Sequence, residues 1–129
     1  MSFTIKNLRE VEDVAPRFGF EQVQEARFPW RALEAEQTGM AYHVIKPGQR
    51  GGAHRHDQAE EIYLVLSGSG RIKLDDEVRE IGPMDAIRIS PQVTRAFAAG
   101  PEGLELLVFG PHHDADGEIL KDDVWEDEG

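Results

Sequence analysis

The sequence predicts a single all-β domain, a closed or sandwiched barrel of short strands preceded by a short helix. Three observations carry this. From Met40 onward, runs of β-forming residues alternate with turn residues at short, regular intervals. No stretch of helical period is long enough to supply the crossovers of a parallel sheet. The chain of 129 residues suits one hydrophobic core and is too short for two, and no repeat, low-complexity block or internal linker divides it.

In chain order, Asn7 precedes Leu8 with Glu10 three residues after it, in the manner of a capping box, and Val11 and Val14 can form one apolar stripe. A short helix to about Ala15 is expected, with Gly19 closing the segment. Val23 to Phe28 has strand-like composition, and the following Pro29 suits an edge strand. The remaining runs are Met40–Ile45, Ile62–Leu66, Arg71–Leu74, Val78–Ile81, Ala86–Ile89, Thr94–Ala98 and Leu104–Phe109. Their expected separators are Pro47-Gly48, Ser67-Gly68-Ser69-Gly70, Asp75-Asp76-Glu77, Gly82-Pro83, Ser90-Pro91 and Gly100-Pro101.

Composition excludes several function classes. There are no cysteines, so disulfides, thiolate metal sites and cysteine nucleophiles are out, and any metal must be held by nitrogen and oxygen. A net charge of −11, from 14 basic and 25 acidic residues, opposes binding to a phosphate backbone. Part of that acidity lies in Asp122-Asp123 and Glu126-Asp127-Glu128, read as a solvated tail. No apolar run approaches the ~20 residues of a membrane span, and the start Met1-Ser2-Phe3-Thr4 lacks a secretory pattern. The cytoplasm is the expected compartment, with no nucleic-acid or membrane partner.

The segment Gly48-Gln-Arg-Gly-Gly-Ala-His54-Arg-His56-Asp-Gln-Ala-Glu60-Glu61-Ile-Tyr-Leu-Val-Leu-Ser-Gly68 carries the chemistry. In an extended strand His54 and His56 project to one face, a chelating pair. Glu61, arriving on the next strand, completes two imidazoles and one carboxylate. That set suits divalent iron, manganese, nickel or zinc and leaves positions open for water or substrate.

The pattern G-x5-H-x-H-x4-E-x6-G from Gly48 to Gly68 resembles the first motif of the cupins at every defining position. The resemblance covers roughly Met40 to Phe109, the barrel core of a single domain spanning residues 1–129. It implies a double-stranded β-helix, or jelly-roll, barrel that often pairs into homodimers. The activities it implies range from dioxygenation, isomerisation and decarboxylation to ligand sensing without catalysis, so it bears on fold more than on function.

A second cupin motif supplies a fourth ligand, a histidine following Gly-Asp and Pro-Gly pairs. Here the stretch reads Gly82-Pro-Met84-Asp85-Ala-Ile-Arg-Ile-Ser90-Pro91-Gln92-Val93-Thr94-Arg95. Met84 and Gln92 stand where glycines are usual, and Arg95 stands in place of the histidine. Arginine stays protonated and cannot coordinate a metal. Two readings remain open. In one, the metal persists on His54, His56 and Glu61, while Arg95 turns to an anionic substrate or to an acid such as Glu60. In the other, the metal is gone and Arg95 forms a charge-assisted pair with Glu61.

Tyr63 and Val65 share strand parity with Glu61 and are expected to face the interior beside the site. Tyr63 is a packing residue and, with Arg95, a candidate substrate contact. Ile62, Leu64 and Leu66 then face outward and need cover, from a second copy or from the amino-terminal segment. His43 could line the pocket or lie outside it and is read as an ordinary surface or packing histidine, Trp30 and Trp125 as anchors for the termini, and Pro111-His112-His113-Asp114 as a solvated loop. Two functions are carried forward: a metal-dependent enzyme on a small organic molecule, such as an oxygenase or isomerase, and a non-catalytic small-ligand-binding barrel. A structural or dimerisation domain is the third.

Overall fold

The structure is a computed structural model that describes residues 2–111, 117–120 and 124–125. Among these residues eight antiparallel strands form one curled sheet: β1 (Gln24–Arg27), β2 (Gly39–Ile45), β3 (His54–His56), β4 (Glu61–Leu74), β5 (Glu77–Ile81), β6 (Ala86–Ile89), β7 (Arg95–Gly110) and β8 (Gly117–Ile119). Strand β7 is the hub. It pairs with β2, with β3 and, along most of its length, with β4, which in turn pairs with β5 and β6. The all-β barrel expected from the sequence is what forms.

Two expected boundaries differ. Ser67-Gly68-Ser69-Gly70 and Gly100-Pro101, expected to separate strands, instead lie inside β4 and β7. Gly68 pairs with Leu104 and Gly70 with Ala99, so the two strands turn a corner together through facing bulges. Only glycine fits there: a Cβ on Gly68 would stand 1.9 Å from the Gly103 carbonyl oxygen, and one on Gly70 2.2 Å from that of Ala98. These glycines permit backbone contact across a bend rather than ending a strand.

The amino-terminal helix is also shorter than expected. Asn7 accepts from the Arg9 amide and caps a single 3-10 turn, Leu8–Glu10. Beyond it, Asp13 accepts from the amides of Ala15 and Ala26, and the Val14 amide donates to the Ala26 carbonyl. Pairing to β1 thus takes the donors a longer helix would need. A second 3-10 turn, Ala15–Phe18, follows, and Gly19 closes it in the left-handed conformation.

The barrel core collects the inward residues of facing strands: Tyr63, Val65, Ile72, Ile89, Phe97 and Leu106 are all buried. Alternation along β7 sends Ala96 and Ala98 to the outside, where Trp125 packs over them and Ala53. The Arg71 and Arg50 guanidiniums lie 5.2 Å and 5.9 Å from that ring's centroid. Trp125 is therefore the anchor the sequence suggested.

Outward on β4, Ile62 and Leu66 are exposed, and Ile62 pairs with exposed Phe109 of β7. The amino-terminal segment does not cover them, for its own Phe3 and Ile5 are more than four-fifths exposed. No described helix is long and apolar enough to cross a membrane. The His112-His113-Asp114 group and the acidic tail residues at 122–123 and 126–128 lie outside the described residues.

Candidate metal centre

Three short-range features bring the predicted ligands together. Strand β3 is extended, held on one edge by pairing of Arg55 with Glu118 of β8, so His54 and His56 share a face. Their rings stand edge to face, 5.3 Å between centroids. Glu61 opens β4 on the inward side. One ligand atom from each of His54, His56 and Glu61 lies within 4.8 Å of the others, and no other such cluster occurs among the described residues.

Arg95 enters the same cluster because it is the cross-strand partner of His54. It has no solvent exposure. Its Nη1 donates to Glu61 Oε1 at 2.8 Å and its Nη2 to the Ser90 carbonyl at 3.3 Å, while Nε meets no partner among the described residues. The acid that Arg95 meets is Glu61. Glu60 is elsewhere: it faces solvent and pairs with Arg88 at 3.3 Å.

Glu61 Oε1 is the hub of the site. Besides Arg95 it accepts from the Tyr63 hydroxyl at 3.0 Å, and His56 Nε2 lies 3.2 Å away. Tyr63 Oη also stands 3.3 Å from His54 Nε2, so this buried phenol links a carboxylate to an imidazole. Its position beside the site is as expected, and its hydroxyl is engaged with the cluster.

These contacts set the protonation states. Burial, and after it the Arg95 charge, pushes the His54 imidazole down to about 4, leaving a neutral ring with a lone pair to offer. Burial tends to raise the Glu61 carboxyl, but the hydrogen bond and charge of His56, with His54 and Arg95, outweigh it and hold Glu61 below its usual range. Burial and the Glu61 charge push the Tyr63 phenol up, so it stays a neutral donor. Neutral imidazole and ionised carboxylate are the forms that ligate a divalent cation; His54 and Glu61 hold them already, and His56 would complete the set on giving up the proton behind its charge. Arg95 is the qualification, since its charge opposes a cation at the same carboxylate.

Two cavities meet at these residues. The larger, about 500 Å³, runs from His54, His56 and Glu61 past Tyr63 and Phe97 to the aromatic rings of Phe18, Phe20 and Phe28. A second of about 410 Å³ reaches His56 and Glu61 from the side of Trp30 and Arg31 and shares Phe28 with the first. Arg95 lines neither.

His43, which the sequence allowed to line the pocket while favouring a surface or packing role, belongs to the site. It lies on the cavity wall with its ring edge-on to Phe28, centroids 5.5 Å apart. Burial pushes its imidazole down to about 4, against a smaller pull from Glu61. The signal was its parity: on β2, His43 points the same way as the inward Ala41 and Ile45. Trp30, read as an anchor, also faces a cavity.

Known proteins place this architecture. The cupin domain family matches residues 41–110. An uncharacterized protein of Methanocaldococcus jannaschii is 32% identical over 88 residues, which are 66% of this chain and 70% of that one. The polyketide cyclase RemF of Streptomyces resistomycificus superposes with a TM-score of 0.76 at 22% identity, over 96% of this chain and 89% of that one. Oxalate decarboxylase of Bacillus subtilis gives 0.74 at 21% identity, over 91% of this chain and 33% of that one. The structural likenesses establish the fold, and the match over the barrel from β2 to the end of β7 shows that this chain belongs to the cupin domain family.

Proposed function

We propose that this cupin is a metal-dependent enzyme acting on a small organic molecule, with His54, His56 and Glu61 holding one divalent ion of iron, manganese, nickel or zinc. The observation that carries the reading is the convergence of one ligand atom from each of these three residues on the wall of a cavity of about 500 Å³, a size suited to a drug-sized ligand. Bound there, the ion would supply Lewis acidity or oxygen activation at its open positions. The similarity to structures of a cyclase and a decarboxylase is compatible with catalysis.

The chain's own residues do the rest. Arg95 holds Glu61 in place and adds to the larger effect of His56 and His54 in keeping it ionised, and the Ser90 carbonyl holds the guanidinium. Direct contact between Arg95 and substrate would require it to leave Glu61. Tyr63 orients Glu61 and His54 together and meets whatever occupies the cavity. Titration of chelator-stripped protein with Mn²⁺, Fe²⁺, Ni²⁺ and Zn²⁺ by calorimetry tests the reading: one ion per chain, lost in Glu61→Gln, is expected, and no heat from any ion overturns it.

The Arg95–Glu61 pair favours a second reading, a small-ligand-binding cupin without metal, in which the guanidinium takes over the role of the cation. In either reading we propose a homodimer. The adjoining outward side chains Ile62, Leu66 and Phe109 form an apolar patch on paired strands, which a second copy of the same patch would cover. Light scattering after gel filtration is expected to give twice the chain mass for the parent and the chain mass for Ile62→Glu. A monomeric parent overturns the proposal.

A further inference from the structure

The larger cavity has an unusual balance of charge. Its wall is built mainly of rings and alkyl groups, among them Phe18, Phe20, Phe28 and Phe97. The guanidinium on it, that of Arg17, is exposed and already bonded to Glu12. On the wall where the two cavities meet stands the ionised Glu61, whose countercharge Arg95 lies outside the cavity wall. In the chain without metal, an anionic ligand would meet a carboxylate with no free cation beside it. A cation would have to give up its hydration against apolar walls, and a polyol would leave hydroxyls unpartnered there.

Two polar side chains on the wall make no side-chain hydrogen bond to a described residue: Gln24, whose Oε1 lies beside Gly51, and His43. His43 makes no hydrogen bond to any described residue, although it lines the cavity beside Phe28. Tyr63 is bonded to Glu61 and His54, and Arg17 to Glu12. Of the two, His43 is the one seated against a ring, edge-on to Phe28, and so the one placed to take a hydrogen bond from a molecule among the rings.

We propose that the larger cavity binds an uncharged, largely aromatic molecule carrying a hydroxyl, and that His43 accepts that hydroxyl's hydrogen bond. This names the substrate class for the site proposed above, and it rests on that site only for what happens after binding. His43 here selects and orients the molecule. An aromatic body would fill the space between the rings by edge and face contacts. The hydroxyl would supply the partner His43 lacks, and an ether of the same shape would leave it unsatisfied.

The test uses three fluorescent probes, 2-naphthol, 2-methoxynaphthalene and 2-naphthoate, titrated into the full chain after chelator treatment and again with metal restored. Expected are one site per chain for 2-naphthol, about fivefold to tenfold weaker binding of the ether, and still weaker binding of the anion. In His43→Phe, which keeps a ring but removes the acceptor, the advantage of naphthol over its ether should vanish. In His43→Gln, which keeps an acceptor, it should largely return. Preference for naphthoate in the chelator-treated chain, an unchanged naphthol-to-ether ratio in His43→Phe, or failure of every probe to bind overturns the inference. Metal content is read on the same samples, so a chain that takes up no metal yet discriminates among the probes refutes only the metal reading.

Discussion

Replacing Arg95 by methionine separates the two roles the site can play. The guanidinium lies 2.8 Å from Glu61 Oε1 and is fully enclosed, so its removal leaves a buried carboxylate without its countercharge. Breaking such a pair from one side typically costs about 3–5 kcal/mol, a large share of an ordinary domain's ~5–15 kcal/mol. The same change removes a positive charge from the edge of the metal position. At an effective dielectric of ~20, two unit charges ~4 Å apart interact by about 4 kcal/mol. Half of that is already about a thirtyfold change in affinity. Arg95→Met is therefore expected to unfold at lower denaturant than the parent in chelator, to regain ~2.7 kcal/mol or more at metal concentrations a hundredfold above its dissociation constant, and to bind Mn²⁺ or Zn²⁺ at least thirtyfold more tightly by calorimetry. A variant as stable as the parent without metal, or no tighter for metal, would refute the view that Arg95 and a cation compete for Glu61.

Three further outcomes follow from local geometry. Met84 and Gln92 occupy left-handed backbone, with φ of 71° and 72°, a strain that glycine relieves; after its entropy cost in the unfolded chain, each change to glycine should stabilise by about 0.5–1 kcal/mol in denaturant unfolding. Gly68→Ala places a methyl 1.9 Å from the Gly103 carbonyl oxygen at φ 81°, and a loss of about 3 kcal/mol or more is expected, with misfolding at 37 °C as its visible form. His43 has its pKa lowered from 6.5 to about 4, so between those values the unfolded chain binds a proton that the folded chain refuses. Stability is then full above pH 6.5 and falls on acidification toward pH 4, by up to about 3 kcal/mol from this group, and His43→Phe should flatten that part of the profile.

Much of this was legible in the residues. The ligand triad was readable because period-two alternation places His54 and His56 on one face whatever surrounds them, and because Glu61 shares parity with the buried Tyr63 and Val65. The extents of β5 and β6 were readable because polar turns bracket them. What was hidden depends on contacts between distant segments. Gly68 and Gly70 look like punctuation until Gly103 and Ala98 are known to press against them. Which acid Arg95 would choose depended on its register with His54, and the chain alone does not state which strands pair. Met84 and Gln92 departed from the family pattern in residue type while the backbone kept the conformation glycine would have taken. Strand β8 escaped notice because three residues, Gly117–Ile119, carry no periodicity and form only as partners of β3.

The account's central claim is that His54, His56 and Glu61 hold a divalent metal ion despite Arg95. Elemental analysis of protein purified without an affinity tag or chelator, run beside His54→Ala, tests it most directly. Near-stoichiometric metal in the parent and its loss in the variant is the expected result. Parent protein that emerges metal-free and takes up no added Mn²⁺, Fe²⁺, Ni²⁺ or Zn²⁺ would contradict it, and would leave the Arg95–Glu61 pair as the permanent occupant of the site.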